Sequence, residues 1–133
     1  MSDDQGRSPF MVAAGLVLEE VTETQVRGHL NLGSEHHTPW GVIHGGVYAS
    51  AVETAASTGA SKAVQDRGMF AVGLTNTTNF LRATNGGIAE VVGRALHQGR
   101  TQQLWEVDIR DSEGRLLARG DLRLQNLPVP HRG

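Results

Sequence analysis

The sequence has no cysteine, no long apolar run and no marked excess of charge of one sign. Without cysteine there can be no disulfide bond, thiolate metal site or cysteine nucleophile. The 12 basic and 14 acidic side chains give a formal net charge of −2, which does not favour nucleic acid as a partner. The polar first ten residues lack the apolar core of a signal peptide, so we expect a cytoplasmic protein without membrane contact.

At 133 residues, the chain is long enough for one domain with its own core. We expect a single domain whose ordered part covers about residues 10–127. Apolar residues recur with a period of two in six segments and with a helical period in one. These patterns predict strands at 16–21 and 25–32, a loop at 34–39, a helix at 46–66, and strands at 69–81, 88–97, 101–111 and 115–126.

This order predicts an α+β fold in which an antiparallel sheet of five to six strands wraps around one long central helix. In the strand after the helix, alternation predicts one shared face for Phe70, Val72 and Leu74. In the strand predicted at 101–111, Gln103, Trp105 and Val107 are expected to lie on one face. The helix consists mainly of Ala, Ser, Thr, Gly and Val, so a sheet can approach it closely. We expect this helix to be buried.

Glu53 is the only Asp, Glu, Lys or Arg between Glu35 and Lys62. Buried carboxylates are rare unless they have a partner or a function. One interpretation is an ion pair, within the chain or at an interface, with an arginine of another strand. The other is that Glu53 is a catalytic carboxylate.

Gly45 and Gly46 stand at the expected start of the helix, where unscreened N–H groups and the helix dipole can bind an anion or a carbonyl oxygen. Alternatively, the two glycines only permit a tight turn. Glu53 follows Gly45 by eight residues, which is roughly 12 Å along a helix. Groups that act on one carbonyl must both lie within about 3 Å of it. If both act on one centre, they come from two antiparallel helices, which predicts a homodimer with two sites at its interface.

Two neighbours of these residues have open interpretations. Ser57 lies one helical turn after Glu53 and could hold a water beside the carboxylate, or it is simply small enough for a crowded helix. His44 could fasten the turn by a hydrogen bond, which we favour, or act as a general base. The pair His36-His37 lacks an HxH or HxxxH spacing with a carboxylate, so we expect no metal site.

The stretch "WGVIHGGVYASAVETAAS" resembles the signature of the hotdog-fold acyl-CoA thioesterases, in particular the PaaI-like group and the 4-hydroxybenzoyl-CoA thioesterases with a helix glutamate. The resemblance extends through "TNTTNFLRAT" and "HQGRTQQLWEVDIRDSEGRLLARG". It implies a hotdog fold and hydrolysis of acyl-CoA or aryl-CoA thioesters to the free acid and CoA. Coenzyme A would be part of the substrate, and no separate cofactor is expected.

The resemblance also implies residue roles. The Gly45 amide, beside Gly46, would polarise the thioester carbonyl. Glu53 of the facing subunit would act as nucleophile or as general base on water. Ser57 would hold that water, and His44 would be structural.

Further roles follow from the same resemblance. Arg82, Arg100 and Thr101 match positions that often contact the nucleotide end of CoA, or they belong to ordinary solvated turns. Thr38 departs from the pattern, because such enzymes usually carry Asn or Gln there. In such enzymes the Asn or Gln orients the thioester or the water. Here Thr38 could do so through a water molecule, or His37 could take this role, or the thioesterase activity is weaker than the signature suggests.

The sequence does not decide whether the acyl group of the substrate is an aryl, a phenylacetyl-like or a medium-chain group. Asn76 and Asn79 could hydrogen-bond a ring hydroxyl in a slot that Phe80 lines, or they could satisfy backbone groups. The resemblance further implies that dimers pair into tetramers. Two other functions remain open: a hotdog hydratase or dehydratase that uses His44 and Glu53, and a non-catalytic acyl-CoA binding module.

Overall fold

The computed structural model describes residues 7–130. It contains two helices and six strands, with 3₁₀ turns at Ser34–His36 and Gln65–Arg67. The helices are α1 (Pro9–Ala14) and α2 (Gly45–Val64). The strands are β1 (Leu16–Val21), β2 (Gln25–Leu32), β3 (Met69–Phe80), β4 (Gly87–Gln98), β5 (Gln102–Arg110) and β6 (Leu116–Pro128).

All six strands form one antiparallel sheet in the order β1-β2-β4-β5-β6-β3. The α+β fold expected from the sequence, with a sheet around one long helix, is therefore confirmed. No helix within residues 7–130 has the length and apolar character needed to cross a membrane.

The sheet packs closely against α2 because the buried side of this helix is made of small residues. The buried residues are Tyr48, Ala51, Val52, Ala55, Ala56, Gly59, Ala60 and Val64. At Gly59 the approach is closest, because an added Cβ would lie 2.5 Å from Cη2 of the buried Trp105 and 2.8 Å from Cγ2 of Val26. The Trp105 ring of β5 therefore packs directly against the backbone of α2 at Gly59, where there is no room for a side chain.

The strand face expected from alternation agrees with the structure in β5 but not in β3. In β5, Gln103, Trp105 and Val107 are all buried on the helix side. In β3 the register shifts between Gly73 and Thr75, and Leu74 is 49% exposed. The register shift interrupts the predicted shared face between Val72 and Leu74. Phe70 and Val72 are only half-buried, and the buried residue of this part of β3 is Ala71, which lies between them on the other face.

Helix α1 was not expected from the sequence. Ser8 caps it, with Oγ accepting a hydrogen bond from the Met11 N–H at 3.3 Å, and Pro9 occupies its first turn. The helix ends at Gly15, which has a φ of 79°. A serine cap, an early proline and a left-handed glycine are helix boundary signals, but six residues are too few to show a helical period.

Candidate active site

The backbone N–H group of Gly45, at the N-terminus of α2, has no acceptor within residues 7–130. The His44 ring caps the helix, since its Nδ1 accepts a hydrogen bond from the Gly46 N–H at 2.8 Å. The Val47 N–H donates to the His44 carbonyl at 3.1 Å. The Gly45 N–H therefore lies at the positive end of a 20-residue helix and is available to another group.

Each glycine is in close contact with the ring of a neighbouring residue. A Cβ on Gly45 would lie 2.8 Å from Cζ of Phe80, and a Cβ on Gly46 would lie 2.9 Å from Nδ1 of His44. Neither glycine has a positive φ. A structural role at this turn therefore stays a prediction beside the catalytic one.

A pocket opens beside the free Gly45 amide. It has a volume of about 270 Å³ and is lined by Ile43, Gly45, Tyr48, Phe80, Leu81, Arg82 and Ala83. Its walls are mainly apolar, and the exposed Arg82 adds a positive charge. Of the expected CoA-contacting residues, Arg82 is the one that lies next to Gly45.

Glu53 is exposed in the protomer, so the expectation of a buried carboxylate on α2 is wrong for the single chain. Its carboxyl carbon lies 3.8 Å from the position that a Cβ on Gly73 would occupy, which places it beside β3. Within residues 7–130 the carboxylate makes no hydrogen bond and no ion pair. The alternative of an ion pair with an arginine of another strand is therefore not observed within this part of the chain.

Gly45 and Glu53 belong to one continuous helix. Their eight-residue separation therefore corresponds to roughly 12 Å along the axis, and one chain does not bring them to one carbonyl. Glu53 lies beside β3, which pairs with β6 on one side and forms an edge of the sheet. Edge strands offer unpaired backbone groups to a neighbouring chain.

Ser57 is half-buried and lies one turn after Glu53 on α2. It lines a second pocket of about 630 Å³ together with Ser61, Lys62 and Phe70. This pocket is near the C-terminal half of α2, away from Gly45.

The loop before α2 is held by hydrogen bonds of its own side chains. The Thr38 hydroxyl accepts from the Trp40 N–H at 3.3 Å, and His37 Nε2 donates to the Asn85 carbonyl at 2.6 Å. His36 accepts from the Gly33 N–H at Nδ1, at 3.1 Å, and donates from Nε2 to the Ala13 carbonyl at 2.7 Å. In the described part of the chain, no three His, Asp or Glu side chains converge as a metal site requires. The expectation that no metal is needed stays a prediction.

Arg100 and Thr101 lie at the opposite end of the protomer from Arg82. Their turn is held by Asn126, whose Nδ2 donates to the Arg100 carbonyl at 3.2 Å and whose N–H donates to the Thr101 carbonyl at 2.8 Å. Asn126 also accepts from Gln103, which donates to the Ala60 carbonyl near the end of α2. Within one chain, this turn is therefore not brought to Gly45.

The two asparagines of β3 differ in their surroundings. Asn76 donates to the Ala49 carbonyl at 2.9 Å and accepts from the Thr78 hydroxyl at 2.6 Å, so it ties β3 to α2. This is the alternative in which the asparagine satisfies a backbone group. Asn79 is exposed near the end of β3.

Sequence reasoning missed Tyr48 as a residue of this region. It is the only tyrosine of the chain and the third residue after Gly45. One large polar aromatic side chain in a helix of small residues was a signal that could have identified it.

Comparisons with known proteins agree with the fold and with the family that the sequence resembles. A sequence profile of the Thioesterase superfamily matches residues 41–118, which is more than half of the chain. The protein Rv1847 of Mycobacterium tuberculosis is 38% identical over 121 residues, which is 90% of this chain and 86% of that protein. Its solved structure superposes with a TM-score of 0.89 at 37% identity, over 93% of this chain and all of the other.

Two relatives have names that state an activity. The 1,4-dihydroxy-2-naphthoyl-CoA hydrolase of Listeria monocytogenes is 33% identical over 104 residues, which is 77% of this chain and 83% of that enzyme. The proofreading thioesterase EntH of Cronobacter sakazakii is 31% identical over 101 residues, which is 76% of this chain and 73% of that enzyme. The expected hotdog fold and thioester-hydrolysing activity are confirmed. The chain belongs to the thioesterase superfamily and is a hydrolase that acts on thioesters.

Proposed function

We propose that this protein hydrolyses acyl-CoA or aryl-CoA thioesters to the free acid and CoA at two sites of a homodimer. In each site the Gly45 amide of one subunit polarises the thioester carbonyl, and Glu53 of the other subunit is the nucleophile or general base. The observation that carries this proposal is that, within residues 7–130, the N–H at the start of α2 and the exposed carboxylate eight residues later both lack a partner.

The chemistry needs these two groups on opposite sides of one carbonyl carbon. As water or the Glu53 carboxylate attacks that carbon, negative charge develops on the carbonyl oxygen, and a hydrogen bond from the Gly45 N–H stabilises it. The C–S bond then breaks and CoA leaves as its thiolate, which takes up a proton. If Glu53 attacks directly, a water hydrolyses the resulting anhydride and regenerates the carboxylate. If Glu53 is a general base, it accepts a proton from the attacking water, which Ser57 helps to hold.

A two-fold dimer supports this arrangement. Two antiparallel copies of α2 can place the start of one helix near the middle of the other, where Glu53 lies. The open edge of β3 and the position of Glu53 beside Gly73 put the carboxylate on the side where a second copy would pair. Pairing of such dimers into a tetramer stays a prediction.

The phosphates of CoA require basic side chains at the mouth of the site. Arg82 lies beside the Gly45 pocket and has no ion pair in residues 7–130. Arg100 and Thr101 lie at the far end of the same chain, so any contact of theirs with CoA at this site would come from the second subunit. Thr38 and His37 already hold the loop before α2, so we propose that their part in the reaction is to position His44 and Gly45.

The proposal is tested by CoA release from a panel of aryl- and acyl-CoA esters, followed with a thiol-reactive dye. Because the chain has no cysteine, the dye reports only the released CoA. We expect Glu53→Ala and Glu53→Gln to lower kcat by about 10²–10⁴-fold, the range for loss of a general base, with an unchanged melting temperature. Glu90→Gln, which changes an exposed carboxylate on β4, is the matched control and should keep full activity.

Near-normal turnover by both Glu53 variants would refute the role of Glu53. A hotdog hydratase would instead hydrate an enoyl-CoA without releasing thiol. That reaction is followed by the loss of enoyl absorbance, so a parallel assay with an enoyl-CoA separates the two activities.

A further inference from the structure

Lys62 is the only lysine of the chain, whose other basic side chains are arginines. It lies in the last turn of α2 and is half-buried. Within residues 7–130 its ammonium group makes no hydrogen bond and no ion pair, although Asp66 follows at the four-residue spacing of helix ion pairs. A cation near the end of a helix complements the helix dipole, but that role involves no pocket. The surroundings of Lys62 indicate a second role.

Among the described residues that line the pocket of about 630 Å³ at the C-terminal half of α2, Lys62 is the only charged one. This volume is within the range of small-molecule sites, which is about 300–1,000 Å³. The helix contributes polar residues to the lining, and the residues from outside the helix are all apolar: Ser57, Thr58, Ser61 and Gln65 on the helix, and Val21, Met69, Phe70 and Val129 outside it. The pocket therefore joins an apolar wall to a single positive charge.

Two of the helix hydroxyls in this pocket already have partners. The Thr58 hydroxyl donates to the Thr54 carbonyl at 2.6 Å, and the Ser61 hydroxyl accepts from the Ala71 N–H at 2.9 Å. The stem of a lysine lies along apolar surface while its ammonium group stays at the edge. Lys62 therefore offers a cation at the edge of an apolar pocket, where an anionic group that enters the pocket can reach it.

The pocket begins beside the Glu53 carboxylate, because Ser57 lines it and lies one turn after Glu53. Lys62 follows Glu53 by nine residues, which is roughly 13–14 Å along the axis. Since side chains on a helix lean toward its N-terminus, the ammonium group extends back toward Glu53. The pocket and its cation are thus on the side of the helix that carries the carboxylate.

The two substituents of the thioester carbonyl need different surroundings. CoA carries phosphates, which suit Arg82 in the pocket of Gly45. The acyl group needs apolar walls, which the pocket beside Glu53 supplies. A carboxylate at the far end of such an acyl group would be unfavourable in this pocket without a cation, and Lys62 supplies one with three donor hydrogens.

We propose that this pocket binds the acyl group and that Lys62 is a specificity-determining residue, which pairs with a carboxylate at the far end of an open-chain acyl group. The protein therefore hydrolyses the CoA half-esters of dicarboxylic acids in preference to monocarboxylic esters of the same length. This proposal rests on the proposed function of Glu53 and Gly45.

The test measures kcat/KM for glutaryl-, adipoyl- and suberoyl-CoA beside pentanoyl-, hexanoyl- and octanoyl-CoA, which have the same carbon numbers. The proteins are the wild type, Lys62→Gln, Lys62→Arg and Arg67→Gln. Arg67→Gln is the matched control, because it removes an exposed positive charge from the 3₁₀ turn that follows α2, and Arg67 does not line the pocket.

We expect the wild type, Lys62→Arg and the control to prefer the dicarboxylic ester by about tenfold or more at one chain length at least, as for a hydrogen bond to a charged group. In Lys62→Gln the preference should vanish or reverse, because the carboxylate then enters an apolar pocket without a cation.

Three results would overturn the inference: no preference in the wild type at any length, a preference retained in Lys62→Gln, or an equal loss on both kinds of ester in Lys62→Gln. The last result would place Lys62 at the phosphates of CoA or limit it to a structural role. If the wild type releases CoA from aryl-CoA esters but from none of these six, the inference alone fails. If Glu53→Ala is fully active, the proposed function fails and the inference fails with it.

A second measurement keeps Lys62 in place. Because it is the only lysine, protein labelled with ¹³C at lysine Cε gives a single NMR signal. The protein is Glu53→Gln, which should bind the esters without hydrolysing them. We expect adipoyl-CoA to shift the signal, and hexanoyl-CoA and CoA alone to shift it much less. Equal shifts with all three would place a CoA phosphate at Lys62 and contradict a contact with the acyl carboxylate.

Discussion

Mixing two inactive variants tests whether each site is built from two subunits. Glu53→Ala removes the carboxylate, and Gly45→Pro removes the N–H that would polarise the carbonyl. Proline is tolerated in the first turn of a helix, although its ring requires Phe80 to move, since a Cβ at position 45 would lie 2.8 Å from Cζ of that ring. Each variant alone should be inactive, with an unchanged dimeric state by sedimentation.

The expected recovery follows from the roughly 12 Å between Gly45 and Glu53 along one helix. After subunit exchange at equal concentrations, about half of the dimers contain one subunit of each kind. In such a dimer, one site combines the intact Gly45 of one subunit with the intact Glu53 of the other. The mixture should therefore regain about one quarter of the wild-type activity, in contrast to none if each site lies within one chain.

Hydrolysis is measured before and after exchange, and exchange is checked by native mass spectrometry of subunits with different tags. The control is a mixture of wild type and Glu53→Ala, which should retain about half of the wild-type activity whether or not subunits exchange. Full exchange without recovery in the mixture of variants would refute the two-subunit site.

Two further predictions concern stability. Gly59→Ala should lower the free energy of unfolding by about 1–3 kcal/mol in urea denaturation, because the new Cβ would lie 2.5 Å from the Trp105 ring, although alanine favours helices. Asp108 has a lowered pKa, chiefly through a hydrogen bond from Arg119 and despite desolvation, so its contribution to stability is present above about pH 4 and is lost as the pH falls through the folded-state value. Asp108→Asn should therefore flatten the dependence of unfolding free energy on pH below about 4; an unchanged slope would contradict this assignment.

The fold was largely predictable because its elements carry strong local patterns. β1 and β2 have the expected bounds, and α2 ends within two residues of its expected end, with a 3₁₀ turn after it. The prediction failed where local geometry interrupts the alternation of apolar and polar residues. The register shift after Gly73 exposes Leu74, and alternation of apolar residues cannot show where a strand changes register.

The sequence indicated which residues belong to the candidate site, but not their burial or their positions relative to one another. The glycines and Glu53 stand out in the sequence because they interrupt a run of small neutral residues. Burial of Glu53 was wrongly expected, because a helix without other charges resembles a buried one even where one side faces away from the sheet. The location of Arg82 beside Gly45, and of Arg100 at the other end, depends on how the strands are arranged, which spacing along the chain does not encode.

The His44 cap and the glycine that it holds also restrict how this sequence can change. A side chain at position 46 would lie 2.9 Å from His44 Nδ1, the same atom that accepts the Gly46 N–H. Replacement of Gly46 therefore displaces the ring and removes the cap in one step. A shorter capping residue such as Asn or Asp at position 44 would relieve that contact while still accepting the N–H. We therefore expect substitutions at positions 44 and 46 to have non-additive effects on stability.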